Sequence, residues 1–204
     1  MMTNAEETSH IFRPGPFHQR RAYWLDGAAL HWRIGSDTGQ VPLADIASMR
    51  LNLPAGLGTS ARCVLVERGG KVHRLCDRYW PRWTKGERRS WGRLRLHADT
   101  FRALTFPLAR RLQKANPEAV LLTGPGRGEW IATWLLAVLA LAIVIGGAAM
   151  MIVSRRFAPA AAAFMALLVL YLPMLWPILR SGGPQPLDPR SLPDITPPPG
   201  PVDG

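Results

Sequence analysis

Two long apolar stretches without charged residues constrain the fold of this 204-residue chain more than any other feature. Residues 130–154 and 157–179 carry no charge, and 41 of these 48 residues are hydrophobic. A helix needs about 20 apolar residues to cross the core of a bilayer, so each stretch predicts a transmembrane helix. Because only Arg155 and Arg156 separate them, we expect an antiparallel hairpin with both chain ends on one side of a membrane. This pattern argues against a simple soluble monomer.

The positive charge of the chain is concentrated before the apolar stretches. The formal net charge is +11, and residues 1–128 hold 21 of the basic and 10 of the acidic residues, so they account for all of it. A basic domain beside a bilayer is attracted to anionic lipid by about 1 kcal/mol for each Lys or Arg near the surface. Nucleic acid is the other usual partner of such a charge, but a membrane-tethered domain meets lipid first, so we do not expect nucleic acid as the partner.

Basic residues also predict the orientation of the hairpin. Near its outer ends lie six bases, whereas the connecting turn carries two, and cytoplasmic flanks are the ones enriched in Lys and Arg. We therefore expect a multi-pass protein of the bacterial inner membrane with cytoplasmic N- and C-termini. Tryptophan is enriched where helices meet headgroups. Three tryptophans are predicted to anchor the helices at this interface: Trp130, Trp134 and Trp176.

Small residues recur at every fourth position in both apolar stretches. In lipid, small residues allow two helix backbones to approach closely. We expect these positions to form the seam between the two helices, with an oligomer interface as the alternative. They are Ala142 and Gly146 on the first helix, and Ala158, Ala162 and Ala166 on the second.

The chain before the apolar stretches has the alternating pattern of short strands. Leu30, Trp32 and Ile34, for example, alternate with more polar residues, as in a half-buried strand. We expect a flexible N-terminus at 1–20, a β-domain at 21–117 and a linker at 118–129. The eight Pro and four Gly of residues 181–204 predict a disordered tail. The expected strands lie near 22–25, 29–34, 40–43, 46–53, 62–68, 71–77 and 93–97.

One amphipathic helix is predicted to close the β-domain. Asp99 or Thr100 is expected to cap its start, Pro107 to kink it or delay its start, and Asn116 with Pro117 to end it. One face carries an apolar stripe of Phe101, Leu104, Leu108 and Leu112.

The only two cysteines lie on neighbouring predicted strands. If Gly69 and Gly70 form a two-residue hairpin turn, Cys63 faces Cys76 across the pair. A three-residue loop would shift the register and separate them. The sulfurs are expected to be small buried apolar groups, and a disulfide is the alternative if the domain faces an oxidising compartment.

A segment rich in arginine and tryptophan, residues 78–95, is the strongest candidate for a membrane-surface contact. Arginine pairs with phosphate in a two-pronged geometry, and tryptophan rings settle at headgroup depth. The alternatives are a solvated basic loop whose tryptophans cover the domain core, and a surface on which nucleic acid bases stack. The candidate contacts are Trp80, Arg82, Trp83, Lys85, Arg88, Arg89 and Trp91.

No motif in the sequence predicts catalysis. Nucleophile elbows, Walker loops and zinc-protease motifs are absent. The five histidines, among them His31 and His73, have no metal-ligand spacing, and two cysteines make no metal set. We therefore expect no enzyme, no cofactor and no metal site.

Two stretches resemble a known fold family. Tyr23 to Gly27 leading to Leu30, followed by Val41-Pro42-Leu43-Ala44-Asp45-Ile46-Ala47-Ser48-Met49, is similar to the bacterial PH-like (pleckstrin-homology-like) domains of small membrane proteins. The resemblance covers about residues 20–115 and departs from the family at the 78–95 insertion. It implies a β-rich α+β fold, in which a bent antiparallel sheet or partial barrel is capped by one C-terminal helix and here followed by the two-helix hairpin. The family also implies a membrane-associated binding or scaffolding module.

Together these features predict an interaction or scaffolding protein whose basic domain faces anionic lipid. The alternative is an accessory subunit of a larger inner-membrane complex that packs through the hairpin, or a homo-oligomer. An enzyme has no support from any residue.

Overall fold

The computed structural model describes residues 9–53, 60–80, 95–154 and 159–195. These form antiparallel and mixed sheets together with three α-helices. The chain divides into two compact units. One holds the residues up to Thr123 together with those from Pro186 onward, and the other is Gly124–Gln185.

The first sheet is a four-stranded antiparallel meander. Its strands follow chain order, and tight turns join β2 to β3 and β3 to β4. Alternation places Tyr23, Leu25 and Leu30 in the core, as the sequence predicted for a half-buried sheet. The strands are β1 (His10–Phe12), β2 (Arg21–Asp26), β3 (Ala29–Ile34) and β4 (Asp37–Pro42).

The second sheet starts as another antiparallel meander and then gains later strands at one edge. Its order is β11-β10-β5-β6-β7, and β10 runs parallel to β5. A separate two-stranded ladder pairs β8 with β9. The second-sheet strands are β5 (Ile46–Asn52), β6 (Arg62–Glu67), β7 (Val72–Cys76), β10 (Val120–Thr123) and β11 (Gln185–Pro186), and the ladder is β8 (Arg78–Tyr79) with β9 (Arg95–Leu96).

Helix α1 (Ala98–Ala115) packs its apolar stripe into the core of this unit. Phe101, Leu104 and Leu108 are fully buried there. The helix begins after His97, so the predicted caps Asp99 and Thr100 lie inside its first turn. The other core members include Leu112 of α1 and Leu43 between β4 and β5. From the two sheets come Phe12, Val41, Met49, Leu51, Leu65 and Leu75.

Helix α1 continues through Pro107 without the expected late start. A proline in a helix interior removes one backbone hydrogen bond. The buried stripe on both sides of it holds the helical conformation despite that loss. The helix ends where predicted, at Ala115 before Asn116, whose side chain donates hydrogen bonds to the carbonyls of Ala44 (3.3 Å) and Ile46 (3.0 Å).

Three segments that were predicted to be flexible, a linker or disordered contain ordered structure. The expected flexible N-terminus contains β1, with His10 and Phe12 fully buried, although residues 1–8 lie outside the described part. The expected linker 118–129 contains β10, which extends the second sheet. The predicted disordered tail is ordered from Ser181 to Ile195, and residues 196–204 lie outside the described part.

The hairpin between β6 and β7 differs from the two-residue turn favoured by the sequence. Val66 pairs with Val72, and the Glu67 amide donates to the Lys71 carbonyl at 2.9 Å, so the loop has three residues. Gly70 closes it at φ +84°, a conformation that glycine adopts without strain. The register is therefore the alternative one: Cys63 pairs with Leu75.

The register separates the two cysteines and leaves both as free thiols. Because Leu75 takes the position opposite Cys63, Cys63 lies in the core while Cys76 is half-buried and packs against that core. Burial raises the pKa of the Cys63 thiol to about 12. The predicted facing pair is wrong, and the expectation of small buried groups holds for Cys63.

The second unit contains two helices that pack against each other, α2 (Arg127–Ser154) and α3 (Pro159–Arg180). Residues 155–158 lie outside the described part. Within the described residues, α2 is the one helix long and apolar enough to cross a membrane, and the apolar part of α3, Pro159–Tyr171, is shorter.

Candidate interaction surfaces

Most of the predicted arginine–tryptophan surface lies outside the described residues. Trp80 is described: it is half-buried, and its backbone amide donates to the Arg13 carbonyl at 3.1 Å. That bond ties the start of the segment to the chain after β1. The role of the segment in membrane contact stays a prediction. The positions outside the described part are Arg82, Trp83, Lys85, Arg88, Arg89 and Trp91.

The structure presents a different basic surface, on the side of the second sheet that faces away from the core. We call it the outer sheet face. The paired registers of β10, β5, β6 and β7 give it three rows of side chains. These rows are Val120, Ser48, Val66 and Val72; then Leu122, Arg50, Val64 and Arg74; then Asn52 and Arg62.

The outer sheet face carries three arginines and no acidic residue. Arg62 and Arg74 are exposed, and Arg50 is half-buried between Leu122 and Val64. Among the described residues, the ion pairs of the protein involve other side chains. The same face exposes Val72 (46%) and Val120 (54%), so apolar groups lie beside the charges.

The outer face of the first sheet has a different character. Trp24 stacks on His31 with ring centroids 5.4 Å apart, and Asp26 lies 3.9 Å from the Nε2 atom of His31. Arg33 is an exposed arginine on this face. Because it carries both signs of charge, this face lacks the uniform positive character of the outer sheet face.

The buried histidines serve the fold. His10 is fully buried; its Nε2 atom lies 2.8 Å from the carbonyl of Cys76 and its Nδ1 atom 3.0 Å from Oγ1 of Thr100. Burial lowers the pKa of His10 to about 4, although the Cys76 carbonyl acts in the opposite direction. The Nε2 atom of His73 lies 2.6 Å from the Oε1 atom of Glu67. No cluster of three or more potential metal ligands occurs within the described ranges.

The seam between α2 and α3 lies on a different face of α2 from the one predicted. Ala142 and Gly146 are exposed, and a side chain at Gly146 would meet nothing within 4 Å. The α2 residues that are buried or half-buried follow alternating steps of three and four, the period of helices that cross at a shallow angle. They are Trp130, Thr133, Ala137, Ala140, Val144, Gly147 and Met151.

Gly147 lies close to α3, because a Cβ atom there would lie 2.7 Å from the sulfur of Met165. On α3, Ala162 is half-buried and Ala166 is exposed, while Ala158 lies outside the described residues. Of the predicted packing residues that the structure describes, Ala162 is therefore half-buried, whereas Ala142, Gly146 and Ala166 are exposed. A step of four drifts around a helix, whereas alternating steps of three and four follow one face.

Two of the three predicted interface tryptophans are exposed. Trp134 is 44% exposed and Trp176 is 62% exposed, whereas Trp130 is half-buried. Trp130 and Trp134 contact each other edge to face, with centroids 6.2 Å apart. Their position relative to a membrane interface stays a prediction.

A segment after the second helix, residues 186–195, folds onto the first unit; we call it the strap. Leu187, Leu192 and Ile195 pack against the core of that unit. Arg110 of α1 holds it: its Nε atom donates to the Pro189 carbonyl at 3.3 Å, and its other nitrogens donate to the Leu192 carbonyl and to the carboxylate of Asp194.

Two further bonds shape the strap. The Leu187 amide donates to the Leu121 carbonyl of β10 at 3.0 Å, and Asp188 caps a short 3-10 turn through the Arg190 amide. The proline-rich stretch Pro186-Leu187-Asp188-Pro189 thus lies within an ordered segment, with Pro189 buried. Sequence reasoning missed the strap because its partner Arg110 lies about 80 positions earlier in the chain.

Comparisons with protein-family models, curated proteins and solved structures find no match for this chain.

Proposed function

We propose that the protein is a membrane-anchored interaction or scaffolding protein whose basic domain faces anionic lipid. In this proposal α2 and α3 form a transmembrane hairpin, and the unit built from the two sheets and α1 is a PH-like domain. The observation that carries the proposal is a long apolar helix between two segments that fold into the same unit.

The composition and surface of α2 support membrane insertion. Its 28 residues would extend about 42 Å at 1.5 Å per residue, more than the hydrocarbon core of about 30 Å. Apart from the seam, its large side chains are exposed, and a soluble protein rarely exposes so large an apolar patch. Examples are Leu135, Val138, Leu139, Ile145 and Val153.

The strap supports an even number of membrane crossings. Residues 186–195 follow α3, and they pack in one unit with α1, which precedes α2. Segments that share one core lie on the same side of a membrane. If α2 crosses, the chain must cross back before the strap, and α3 with its 22 residues is the segment available for that return.

The order of elements supports the PH-like part of the proposal. A four-stranded meander, a three-stranded meander and then a helix follow one another along the chain, as the resemblance of Tyr23–Leu30 and Val41–Met49 implies. The additions to that plan are β10 and the strap at the edge of the second sheet, and the β8–β9 ladder.

Charge supports an orientation with the domain in the cytoplasm of a bacterial cell. Six basic residues near the outer ends of the hairpin against two in its turn favour cytoplasmic ends. They are Arg110, Arg111, Lys114, Arg127, Arg180 and Arg190 against Arg155 and Arg156.

Alkaline extraction of membranes containing the full chain tests the anchor. The wild type should stay with the membrane pellet. Leu139→Arg places a charge at the middle of α2, which costs about 2.5–3.5 kcal/mol for insertion, so it should shift protein to the soluble or degraded fraction. Ile131→Arg is the matched control, because an arginine near a helix end reaches the headgroups. Extraction of the wild type itself would refute the anchor.

An accessory-subunit role is the second candidate, and the position of the seam favours it. Ala142 and Gly146 lie outside the seam on the exposed surface of α2, and the spacing of four allows another helix to approach there. Gentle-detergent purification followed by native mass spectrometry tests this role. A partner that is retained by the wild type and lost from Gly146→Leu supports it, whereas a lone monomer contradicts it.

A further inference from the structure

The outer sheet face places three guanidinium groups on one rigid surface. Arg50 and Arg74 belong to the same row with Val64 between them. Arg62 lies one row away on the middle strand. With strands about 4.8 Å apart and about 6.7 Å between successive residues on one face, the three Cα atoms form a triangle with sides of about 8–10 Å.

The charge of this face has no internal neutralisation. The described residues of its three rows include no aspartate or glutamate, and the acidic Glu67 of the same sheet is bound to His73 on the core side. Such an arrangement attracts an anionic surface, and the planar guanidinium matches phosphate oxygens in pairs.

The apolar part of the face matches the same kind of surface. Val72 and Val120 are about half exposed, Val64 lies between Arg50 and Arg74, and Val66 lies in the neighbouring row. Short apolar groups beside arginines allow shallow contact with the headgroup region while the charged groups stay at the phosphates. The face carries no aromatic side chain on which a nucleic acid base could stack.

We propose that the outer sheet face, through Arg50, Arg62 and Arg74, is the surface that binds the anionic phospholipid headgroups of a bilayer. This inference rests on the proposed membrane anchor. It assigns the lipid contact to one face of the domain, whereas the proposed function names only the basic domain as a whole. Tethering by the hairpin gives the face a high effective concentration of lipid, so weak individual contacts suffice.

The test uses the full chain in nanodiscs of phosphatidylcholine, alone or mixed with phosphatidylglycerol. A fluorophore sensitive to polarity is attached to Val72→Cys in a Cys76→Ser background, since Cys63 is buried and does not compete for labelling. Phosphatidylglycerol should shift the fluorescence toward that of a less polar environment, and high salt should reverse the shift because it screens exposed charges.

Two charge-matched pairs of substitutions locate the binding face. Arg62→Gln with Arg74→Gln should reduce the ratio of docked to undocked domain about 30-fold, from about fivefold for each arginine near the surface. Arg33→Gln with Arg102→Gln removes the same charge from exposed positions of the first sheet and α1, and should leave that ratio within about twofold.

The outcomes separate this inference from the anchor. Incorporation into nanodiscs without any response to phosphatidylglycerol would overturn the inference and leave the anchor intact, and a role in binding an acidic protein would then be the remaining explanation of the face. An equal loss in both pairs would also overturn it, because net charge alone would explain the binding. Failure to incorporate at all would refute the anchor itself.

Discussion

Buried His10 makes the stability of the sheet domain depend on pH. Its ring joins three elements: β1, which carries it, β7 through the Cys76 carbonyl, and α1 through Thr100. It also stacks on Phe12 at 5.3 Å and meets Phe101 edge-on at 5.5 Å. Because the Cys76 carbonyl accepts a hydrogen bond, Nε2 carries the proton in the neutral ring.

The size of this pH dependence follows from the difference between the pKa of His10 in the folded protein and its pKa in the unfolded chain. Burial holds the pKa of His10 at about 4 in the folded protein, against 6.5 in an unfolded chain. Above pH 6.5 the ring is neutral in both states, and its full contribution to stability is present. As pH falls from 6.5 to about 4, the unfolded state binds a proton that the folded state does not, which costs about 1.4 kcal/mol for each pH unit. The total loss is about 3 kcal/mol.

His10→Gln tests this dependence, because glutamine does not titrate and can still donate to the Cys76 carbonyl. Urea unfolding of the full chain in neutral detergent, followed by near-UV circular dichroism, gives the free energy of unfolding at each pH. At neutral pH the variant should be less stable than the wild type, since it loses aromatic packing. The difference should shrink by about 3 kcal/mol by pH 4, because carboxylates titrate alike in both proteins. Parallel pH profiles would refute the reasoning.

Three other predictions follow from the described contacts. Arg110→Gln should speed amide hydrogen exchange of the strap, because the strap loses charge-assisted hydrogen bonds worth about 1–3 kcal/mol. Exchange in β2 is the unaffected reference, and unchanged exchange in the strap would contradict the prediction. Gly147→Leu should loosen the α2–α3 seam in a cross-linking assay, whereas Gly146→Leu should not, and an equal effect of both would be inconsistent with the seam. Cys63, with its pKa raised to about 12, should resist alkylation in the folded protein while Cys76 reacts slowly, and no disulfide should form under mild oxidation.

Local patterns predicted the elements whose stabilising contacts are close in sequence. The central strands of both meanders, and the apolar stripe and the end of α1, agree with their alternation and periodicity. The β6–β7 register depended on a single detail, whether the turn contains two or three residues. Both alternatives fit the pair Gly69 and Gly70, and the bond from Glu67 to Lys71 decides between them.

Elements stabilised by distant contacts could not be recognised in the sequence. β10 is four residues long and is ordered by parallel pairing with β5, some 70 positions earlier. β1 has three residues, and the pairing of His10 with Tyr23 together with its bond to Thr100 holds it. The strap has the composition of a disordered tail, yet three apolar side chains and Arg110 order it.

The candidate surfaces show the same division. Composition indicated a basic domain, but the concentration of Arg50, Arg62 and Arg74 on one face depends on the register of three strands. The sequence indicated that small residues pack between the helices of the hairpin. Which face of α2 contacts α3, the face that holds Gly147, is visible only in the packed structure.

Sidedness labelling with a membrane-impermeant thiol reagent tests the central claim most directly. Single cysteines at Ser36, Ser154 and Ser191 place one probe on the first sheet, one at the end of α2 and one on the strap. All three are made in a Cys76→Ser background and tested in spheroplasts and in inverted membrane vesicles. We expect the probes at Ser36 and Ser191 to react only in inverted vesicles and the probe at Ser154 only in spheroplasts. Labelling of the Ser36 and Ser191 probes from opposite sides would contradict the hairpin.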